Sequence, residues 1–180
     1  AETTGKRIAI IGGGPSGLAA AYYLELMGHH AVVFEAKSKL GGMLRYGIPS
    51  YRFPRERLDQ DIEAIISTGV EVHLNTKIGS GEGEVPFNKL REEYDAVYIA
   101  IGAHEDKKVG IEGEDSKGVI SAVEMLGSIG EEVMPDFKDK TVVVIGGGNV
   151  AMDCTRSAIR LGAKKVTIAY RRRKVDMTAL

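Results

Sequence analysis

The chain has 180 residues, of which 43% are hydrophobic and 27% are charged, and its formal net charge is −1. Because domains usually need ~100–200 residues, this length allows one complete core, or one and a part, but not two complete domains. The balanced charge gives no general attraction to nucleic acid or to an acidic membrane surface, and no apolar run reaches the ~20 residues of a membrane span.

The first elements are predicted to be a strand, a turn, a helix and a second strand. Residues 7–11 form a short apolar run that meets a triple glycine, and residues 15–27 have a helical pattern that ends at a glycine. Residues 31–34 are predicted to be a buried strand, with Glu35 at its end. Together these elements have the ~30 residues expected of a parallel crossover.

The middle of the chain begins with a long irregular stretch at residues 36–54, and loops of this length are often functional. Pro54 opens an amphipathic helix that ends near residue 69. Residues 70–74 are predicted to be a third strand and residues 80–84 a solvated acidic turn. Residues 96–101 are predicted to be a fourth, fully buried strand that runs into a glycine.

The rest of the chain repeats the opening pattern. A polar crossover at residues 103–118 and a helix near residues 121–128 lead to a strand at residues 141–145, which enters a second triple glycine. A helix at residues 149–161 and a strand at residues 166–170 follow. This internal repeat predicts an α/β fold with parallel sheets.

The first glycine turn has the pattern Gly12-x-Gly14-x-x-Gly17. The first glycine permits a tight turn, the second lets backbone approach a pyrophosphate, and the third lets the helix pack closely on the sheet. Glu35 follows about 20 residues later, where a carboxylate can accept hydrogen bonds from ribose hydroxyls. The pattern predicts a dinucleotide site; the alternative is a glycine-rich turn of an unrelated α/β fold, with a solvated Glu35.

The second glycine turn has the pattern Gly146-x-Gly148-x-x-Ala151, and no acid follows its second strand. Arg171 and Arg172 stand there instead, at the start of a basic run. Guanidinium groups pair with a ribose 2′-phosphate, which a carboxylate would repel. The pattern therefore predicts an NADPH site; the alternative is a solvated basic surface.

Three motifs carry a family resemblance. The string from Leu40 to Pro54 reads Leu-Gly-Gly-Met-Leu-Arg-Tyr-Gly-Ile-Pro-Ser-Tyr-Arg-Phe-Pro, and it is joined by Ala100-Ile101-Gly102-Ala103 and by Gly148-Asn149-Val150-Ala151-Met152-Asp153. The chain resembles the FAD- and NADPH-binding region of the glutamate synthase small subunit family. Relatives of that family include dihydropyrimidine dehydrogenase, the NADPH subunit of ferredoxin–NADP transhydrogenases and adrenodoxin reductase.

The resemblance implies a Rossmann-like FAD-binding domain at residues 1–105, without its closing segment, followed by a connector and the first half of a Rossmann-like NADPH-binding domain at residues 106–180. It implies FAD contacts from Gly12, Gly14, Pro15, Ser16, Gly17, Glu35, Gly42, Met43, Ile48, Arg52, Ile78, Ala100 and Gly102. It implies NADPH contacts from Gly146, Gly148, Asn149, Val150, Arg171 and Arg172. A purely structural role for the loop at residues 41–54 is the alternative.

The family closes its FAD domain with a later segment that contains a Gly-Asp pair, and no such segment follows here. We therefore interpret the chain as a fragment whose exposed strand edges favour self-association. The single cysteine, Cys154, excludes an internal disulfide, disulfide reductase chemistry and an iron–sulfur cluster held by this chain alone. Iron–sulfur clusters are expected only in parts of the protein outside this chain, and no metal site within it.

The resemblance implies hydride transfer from NADPH to FAD and electron release to an iron–sulfur centre or a partner subunit. No catalytic acid or base is required, because the flavin carries the difficult step. Cys154 is expected to be a packing residue, and Asp153 either braces the NADPH turn or is a solvated helix acid. A stand-alone NADPH–ferredoxin reductase and a nucleotide-binding fragment without turnover are the alternatives. Cytoplasm is the expected location, because the N-terminus lacks a signal-peptide layout.

Overall fold

A computed structural model describes residues 1–179 of the chain, and these residues divide into two compact units. The first unit contains Ala1–Arg45 and Phe53–Ala103. The second contains Tyr46–Arg52 and the chain from His104 onward. Within the described residues, no helix combines the length and hydropathy of a membrane span.

The first 103 residues contain four strands and four helices. In chain order they are β1 (Arg7–Ile11), α1 (Pro15–Leu26), β2 (His30–Phe34), α2 (Met43–Tyr46), α3 (Arg55–Ile66), β3 (Glu71–His73), α4 (Phe87–Glu93) and β4 (Ala96–Ile99). The strands form one parallel sheet in the order β3-β2-β1-β4. This order places β1 and β2 at the centre, where the apolar runs of the sequence are most deeply buried.

The core of the first unit lies on both faces of this sheet. On one face, Ile10 and Val33 pack with residues of α1 and α3, including Leu18 and Leu58. On the other face, the cluster contains Ala9, Ile11, Val32 and Phe34 of the sheet together with Leu90 of α4. The unit is therefore a layered α/β structure with helices on each side of the sheet.

The second unit is built around a smaller sheet. It contains α5 (Ala122–Gly130), β5 (Thr141–Ile145), α6 (Asn149–Arg160), β6 (Lys165–Ala169) and a 3₁₀ turn at Lys174–Asp176. Strands β5 and β6 pair in parallel. One face of the pair packs on a cluster that includes Met125, Phe137 and Ala158, while the other face leaves Val143 and Ile145 exposed.

The predicted α/β class with parallel sheets is confirmed, and the strands β1 and β5 have the predicted bounds. Two helices escaped prediction. The four-residue helix α2 lies inside the stretch that was predicted to be irregular, and α4 has only Leu90 buried, so it lacks an apolar stripe.

The prediction of a fully buried fourth strand was wrong. The strand β4 ends at Ile99, and the side chains of Tyr98 and Ile99 are exposed by 43% and 58%. Among residues 1–179, β4 is an edge strand paired only with β1, and of its side chains only Val97 packs against a core cluster. An apolar sequence predicts burial only where other residues cover the strand.

A cluster of charged side chains lies at β2 and β3. The carboxylate of Glu71 is 3.0 Å from Nε2 of His30 and 2.7 Å from Nε2 of His73. Glu25 of α1 and Arg7 of β1 also approach the cluster, at 3.6 Å from His30 and 4.0 Å from Glu71. Hydrogen bonds, first from His30 and then from His73, hold the pKa of Glu71 below its ordinary value of 4.5.

This lowered pKa predicts an acid-sensitive contribution to stability. A carboxylate whose pKa is depressed on folding stabilises the protein above its unfolded pKa, and the contribution is lost as the pH falls through the folded pKa. We expect Glu71→Gln to lose less stability than the wild type between neutral pH and about pH 3.5, by a modest margin because the side chain is partly exposed. Urea unfolding midpoints at both pH values measure this. Glu92→Gln, at an exposed position of α4, is the control, and an equal loss in Glu71→Gln and the wild type would contradict the prediction.

Candidate nucleotide-binding sites

The first glycine turn joins β1 to α1 with very little space for side chains. A Cβ atom at Gly12 would lie 2.4 Å from the carbonyl oxygen of Ala100, and one at Gly17 would lie 1.9 Å from the carbonyl oxygen of Gly12. Gly12 also has a φ of +108°, a conformation that favours glycine. The helix, the turn and the chain after β4 can approach this closely only because two glycines stand here.

The N-terminus of α1 presents unpaired backbone groups. Gly14 is the N-cap and provides no side-chain cap, and Pro15 occupies the first helical position. The first N–H groups of a helix have no partner within the helix and carry partial positive charge. The hydroxyl of Ser16 is 3.0 Å from the hydroxyl of Tyr98 on β4. This end of α1 therefore has the properties of an anion-binding site.

Glu35 lies directly beside this turn. Its Oε2 accepts a hydrogen bond of 2.7 Å from the backbone N–H of Gly13, and its Oε1 accepts one of 2.8 Å from the N–H of Lys37. The residue is 8% exposed, so the solvated alternative is wrong. Each carboxylate oxygen can accept a second hydrogen bond, which leaves capacity for ligand hydroxyls.

The glycine-rich loop before α2 packs against the same turn. Gly41 donates a backbone hydrogen bond of 2.8 Å to the carbonyl of Gly13. A Cβ atom at Gly42 would lie 2.7 Å from the Cα atom of Gly14. Met43 follows as the first residue of α2 and is half-buried. The structure therefore brings the loop and the first turn together, as the sequence-predicted site requires.

Arg45 supports this loop, and the sequence analysis gave it no role. Its guanidinium is buried, donates a hydrogen bond of 2.6 Å to the carbonyl of Leu40 and pairs with Asp59 of α3. Arg55 donates to the carbonyls of Leu44 and Arg45 at 2.9 and 2.7 Å. The buried Arg45 and the half-buried Arg55 both bond to backbone carbonyls and so fix the loop, but a sequence does not reveal which arginines are buried.

The remaining residues of the first predicted site have more varied positions. Ala100 joins the turn through its carbonyl, whereas Gly102 is exposed with a φ of +68°. Ile78 follows β3, forms an isolated bridge with Val85 and packs on the core. Ile48 and Arg52 belong to the second unit.

The second glycine turn joins β5 to α6 and has the same form. Gly146 has a φ of +138°, and Gly148 is the N-cap of α6 without a side-chain cap. A Cβ atom at Gly146 would lie 3.4 Å from the Cβ atom of Ala151, so an alanine fits in the third position of this motif. Asn149 and Val150 are exposed in the first turn of α6. These features repeat the anion-binding geometry of α1.

The chain after β6 returns to this second turn. A Cβ atom at Gly147 would lie 2.8 Å from the ring of Tyr170, and Ala179 donates a backbone hydrogen bond of 3.2 Å to the carbonyl of Gly147. Arg173 pairs with Asp176 at 3.1 Å. Arg171 and Arg172 are exposed and form no ion pair within residues 1–179, so their guanidinium groups are available to a ligand.

Arg52 forms an ion pair inside the second unit. Its NH1 atom is 2.7 Å from Oδ2 of Asp153, which lies on α6 and is 4% exposed. The alternative of a solvated Asp153 is therefore wrong. The neighbouring Cys154 is buried, as expected of a packing residue, and burial raises the pKa of its thiol to about 11.

The geometry defines a class of protein. Each unit has a parallel strand, a glycine turn, a helix whose N-cap glycine provides no side-chain cap, and a second parallel strand, and this arrangement is typical of dinucleotide-binding α/β proteins. Residues 6–179 match the pyridine nucleotide-disulphide oxidoreductase family. The chain belongs to that family.

Comparison with known proteins agrees with this assignment. The chain is 48% identical to the NADP(+)-dependent formate dehydrogenase subunit beta of Moorella thermoacetica, over 99% of this chain and 25% of that protein. It is 40% identical to the glutamate synthase [NADPH] small chain of Escherichia coli K12, over 98% of this chain and 39% of that protein. Mycobacterium tuberculosis FprA in complex with NADPH has a similar structure, with a TM-score of 0.81 and 27% identity over 97% of this chain and 45% of that one.

These findings confirm the predicted family, which uses FAD and NADPH, and its oxidoreductase character. The glutamate synthase small chain is one group of relatives among several. The chain spans between 25% and 39% of the length of the two curated relatives described above.

The close approach at Gly17 and the open space at Gly14 predict different outcomes for substitutions at these two positions. Gly17→Ala places a methyl group 1.9 Å from the carbonyl oxygen of Gly12, well within van der Waals contact. We expect this clash to destabilise the protein by about 3 kcal/mol or more. Gly14→Ala meets only the Cα atom of Gly42 at 3.6 Å, and its φ of −83° suits any residue. We expect Gly14→Ala to remain folded, with stability within about 1 kcal/mol of the wild type, but to bind FAD at least about tenfold more weakly because its methyl group blocks the pyrophosphate.

Urea unfolding measures the stability of both variants, and quenching of FAD fluorescence measures binding. A stable Gly17→Ala variant would contradict the close approach of α1 and the turn. Wild-type FAD affinity in Gly14→Ala would show that no pyrophosphate lies at this turn.

Proposed function

We propose that this chain is the nucleotide-binding part of an NADPH-dependent flavin oxidoreductase, with FAD held by the first unit and NADPH by the second. One observation carries the proposal: the same strand–glycine turn–helix arrangement occurs twice, with a buried carboxylate beside the first turn and unpaired guanidinium groups after the second. The two sites therefore select different ribose chemistry.

The residues of the first unit fit FAD. The N-terminus of α1 would receive the pyrophosphate at Gly14, Pro15 and Ser16, where no side chain covers the N–H groups. Glu35 would accept hydrogen bonds from the adenosine ribose, with its carboxylate held by the N–H groups of Gly13 and Lys37. Gly42 and Met43 would lie along the rest of the cofactor, since Gly42 packs on Gly14.

The residues of the second unit fit NADPH. The first turn of α6, at Gly148, Asn149 and Val150, would receive its pyrophosphate. Arg171 and Arg172 would pair with the ribose 2′-phosphate. Charge-assisted hydrogen bonds contribute roughly 1.5–3 kcal/mol each, so two of them would favour NADPH over NADH by about two orders of magnitude or more.

The bound cofactors supply hydride transfer from the nicotinamide to the flavin, while the protein provides position and electrostatics. We assign no acid or base in this chain to that step. The histidines at β2 and β3 are engaged with Glu71, and the thiol of Cys154 is buried and protonated at neutral pH. The roles of the named residues are therefore to bind and to orient.

The whole protein's electron acceptor is also a proposal. Relatives of this chain include subunits of formate dehydrogenase, NADPH-Fe(3+) oxidoreductase and glutamate synthase, all of which are longer than this chain. We propose that the electrons pass to an iron–sulfur centre or a partner subunit outside this chain, as in an enzyme of the glutamate synthase small-subunit type, and that the protein acts in the cytoplasm.

The proposal predicts a selective flavin reduction. The chain with FAD added, kept free of oxygen, should lose its visible flavin absorption with NADPH and much less with NADH. Substitution of both Arg171 and Arg172 by Gln should raise the NADPH concentration for half-maximal bleaching by about a hundredfold and leave the response to NADH unchanged. Lys174→Gln, in the same basic run, is the control and should change neither.

Equal responses of wild type and double variant to NADPH would contradict the role of the two arginines. A chain that binds both nucleotides without bleaching would instead support the alternative of a nucleotide-binding fragment without turnover.

A further inference from the structure

The segment Tyr46–Arg52 contacts α6 within the second unit through hydrogen bonds and a cation–π interaction. The hydroxyl of Tyr51 donates a hydrogen bond of 3.2 Å to the backbone carbonyl of Asp153, and the guanidinium of Arg160 lies 3.9 Å from the centroid of the Tyr51 ring. Arg52 adds the ion pair of 2.7 Å with the Asp153 carboxylate. The two contacts with Asp153 join residues that are 101 and 102 positions apart in the chain.

Asp153 is a buried carboxylate on α6, and one of its oxygens lacks a hydrogen-bond partner among the described residues. It is 4% exposed, and its Oδ1 atom has no hydrogen-bond partner within residues 1–179. The only cation near that atom in the same residues is Arg156, whose NH1 lies 3.8 Å away. A buried carboxylate with an unsatisfied oxygen lowers the stability of the fold. Such groups are rare in native structures, so each one needs a structural or functional explanation.

The position of this charge matters for the proposed NADPH site. Asp153 lies in the second turn of α6, about 7.5 Å along the helix axis from Gly148. The proposed pyrophosphate would lie at that same end of the helix. Two anions in this part of the unit would repel each other where little water separates them, so a counter-charge on the carboxylate would favour phosphate binding.

We propose that Arg52 is a positioning residue of the second nucleotide site, which acts by cancelling the buried charge of Asp153. This inference rests on the proposed function, because it needs a pyrophosphate at the N-terminus of α6. It differs from the flavin contact that the sequence resemblance implies for Arg52. The guanidinium of Arg52 contacts α6, and all of the residues in the argument belong to the second unit.

A double-variant comparison tests this proposal, with NADP⁺ binding measured by titration calorimetry at low ionic strength. Arg52→Gln leaves the Asp153 carboxylate without its partner, so NADP⁺ should bind about tenfold more weakly, and added salt should reduce the difference. Asp153→Asn removes the charge and should leave the affinity within about threefold of the wild type. The double variant should recover that affinity, because neither charge remains.

Lys164→Gln is the matched control, since it removes one positive charge at an exposed position beyond the far end of α6. It should leave NADP⁺ affinity unchanged. Circular dichroism checks the fold of each variant. If the unpaired carboxylate unfolds Arg52→Gln, weaker NADP⁺ binding by the double variant than by the wild type would overturn the proposal, because neither protein has an uncompensated charge at this place.

Three outcomes would overturn the proposal. Wild-type NADP⁺ affinity in a folded Arg52→Gln variant would remove any role for Arg52 at this site. Affinity in the double variant as weak as in Arg52→Gln would show that charge compensation is not the cause. A loss of FAD affinity in Arg52→Gln without a loss of NADP⁺ affinity would instead support the flavin contact that the sequence resemblance implies for Arg52. If the wild type itself bound no NADP⁺, the proposed function would fail as well.

Discussion

The close approach of backbone to backbone at the first glycine turn is the constraint on which the first unit depends. Methyl groups at Gly12 and Gly17 would lie 2.4 and 1.9 Å from carbonyl oxygens. Because β1, α1 and the chain after β4 meet there without side chains, the free N–H groups of α1 lie at the carboxyl edge of the parallel sheet, where such folds bind ligands. The second turn is less crowded, and Ala151 occupies the position equivalent to Gly17.

Charge distinguishes two turns that are otherwise alike. Beside the first, the carboxylate of Glu35 is buried and held by backbone N–H groups, an arrangement that suits ribose hydroxyls and would repel a ribose 2′-phosphate. After the second, Arg171 and Arg172 are exposed. Asp153 places a further negative charge near the second turn, where it is paired with Arg52.

The sequence was most informative where local pattern and fold agree. Short apolar runs before triple glycines predicted the bounds of β1 and β5 to the residue, because in both places an apolar strand leads directly into a glycine turn. The sequence did not predict side-chain exposure or contact partners that depend on distant parts of the chain. The exposure of Tyr98 depends on what covers an edge strand, and the partner of Arg52 is 101 positions away. No spacing rule predicts such a contact.

The central claim is that each unit holds one dinucleotide at its own glycine turn. Backbone amide chemical shifts of isotope-labelled protein test it most directly, since they report binding residue by residue and need no turnover. We expect FAD to shift the amide signals of Gly13, Gly14 and Ser16, and NADP⁺ to shift those of Gly148 and Asn149, with each nucleotide leaving the other set unchanged. Shifts of both sets by one nucleotide, or of neither set by either, would contradict it.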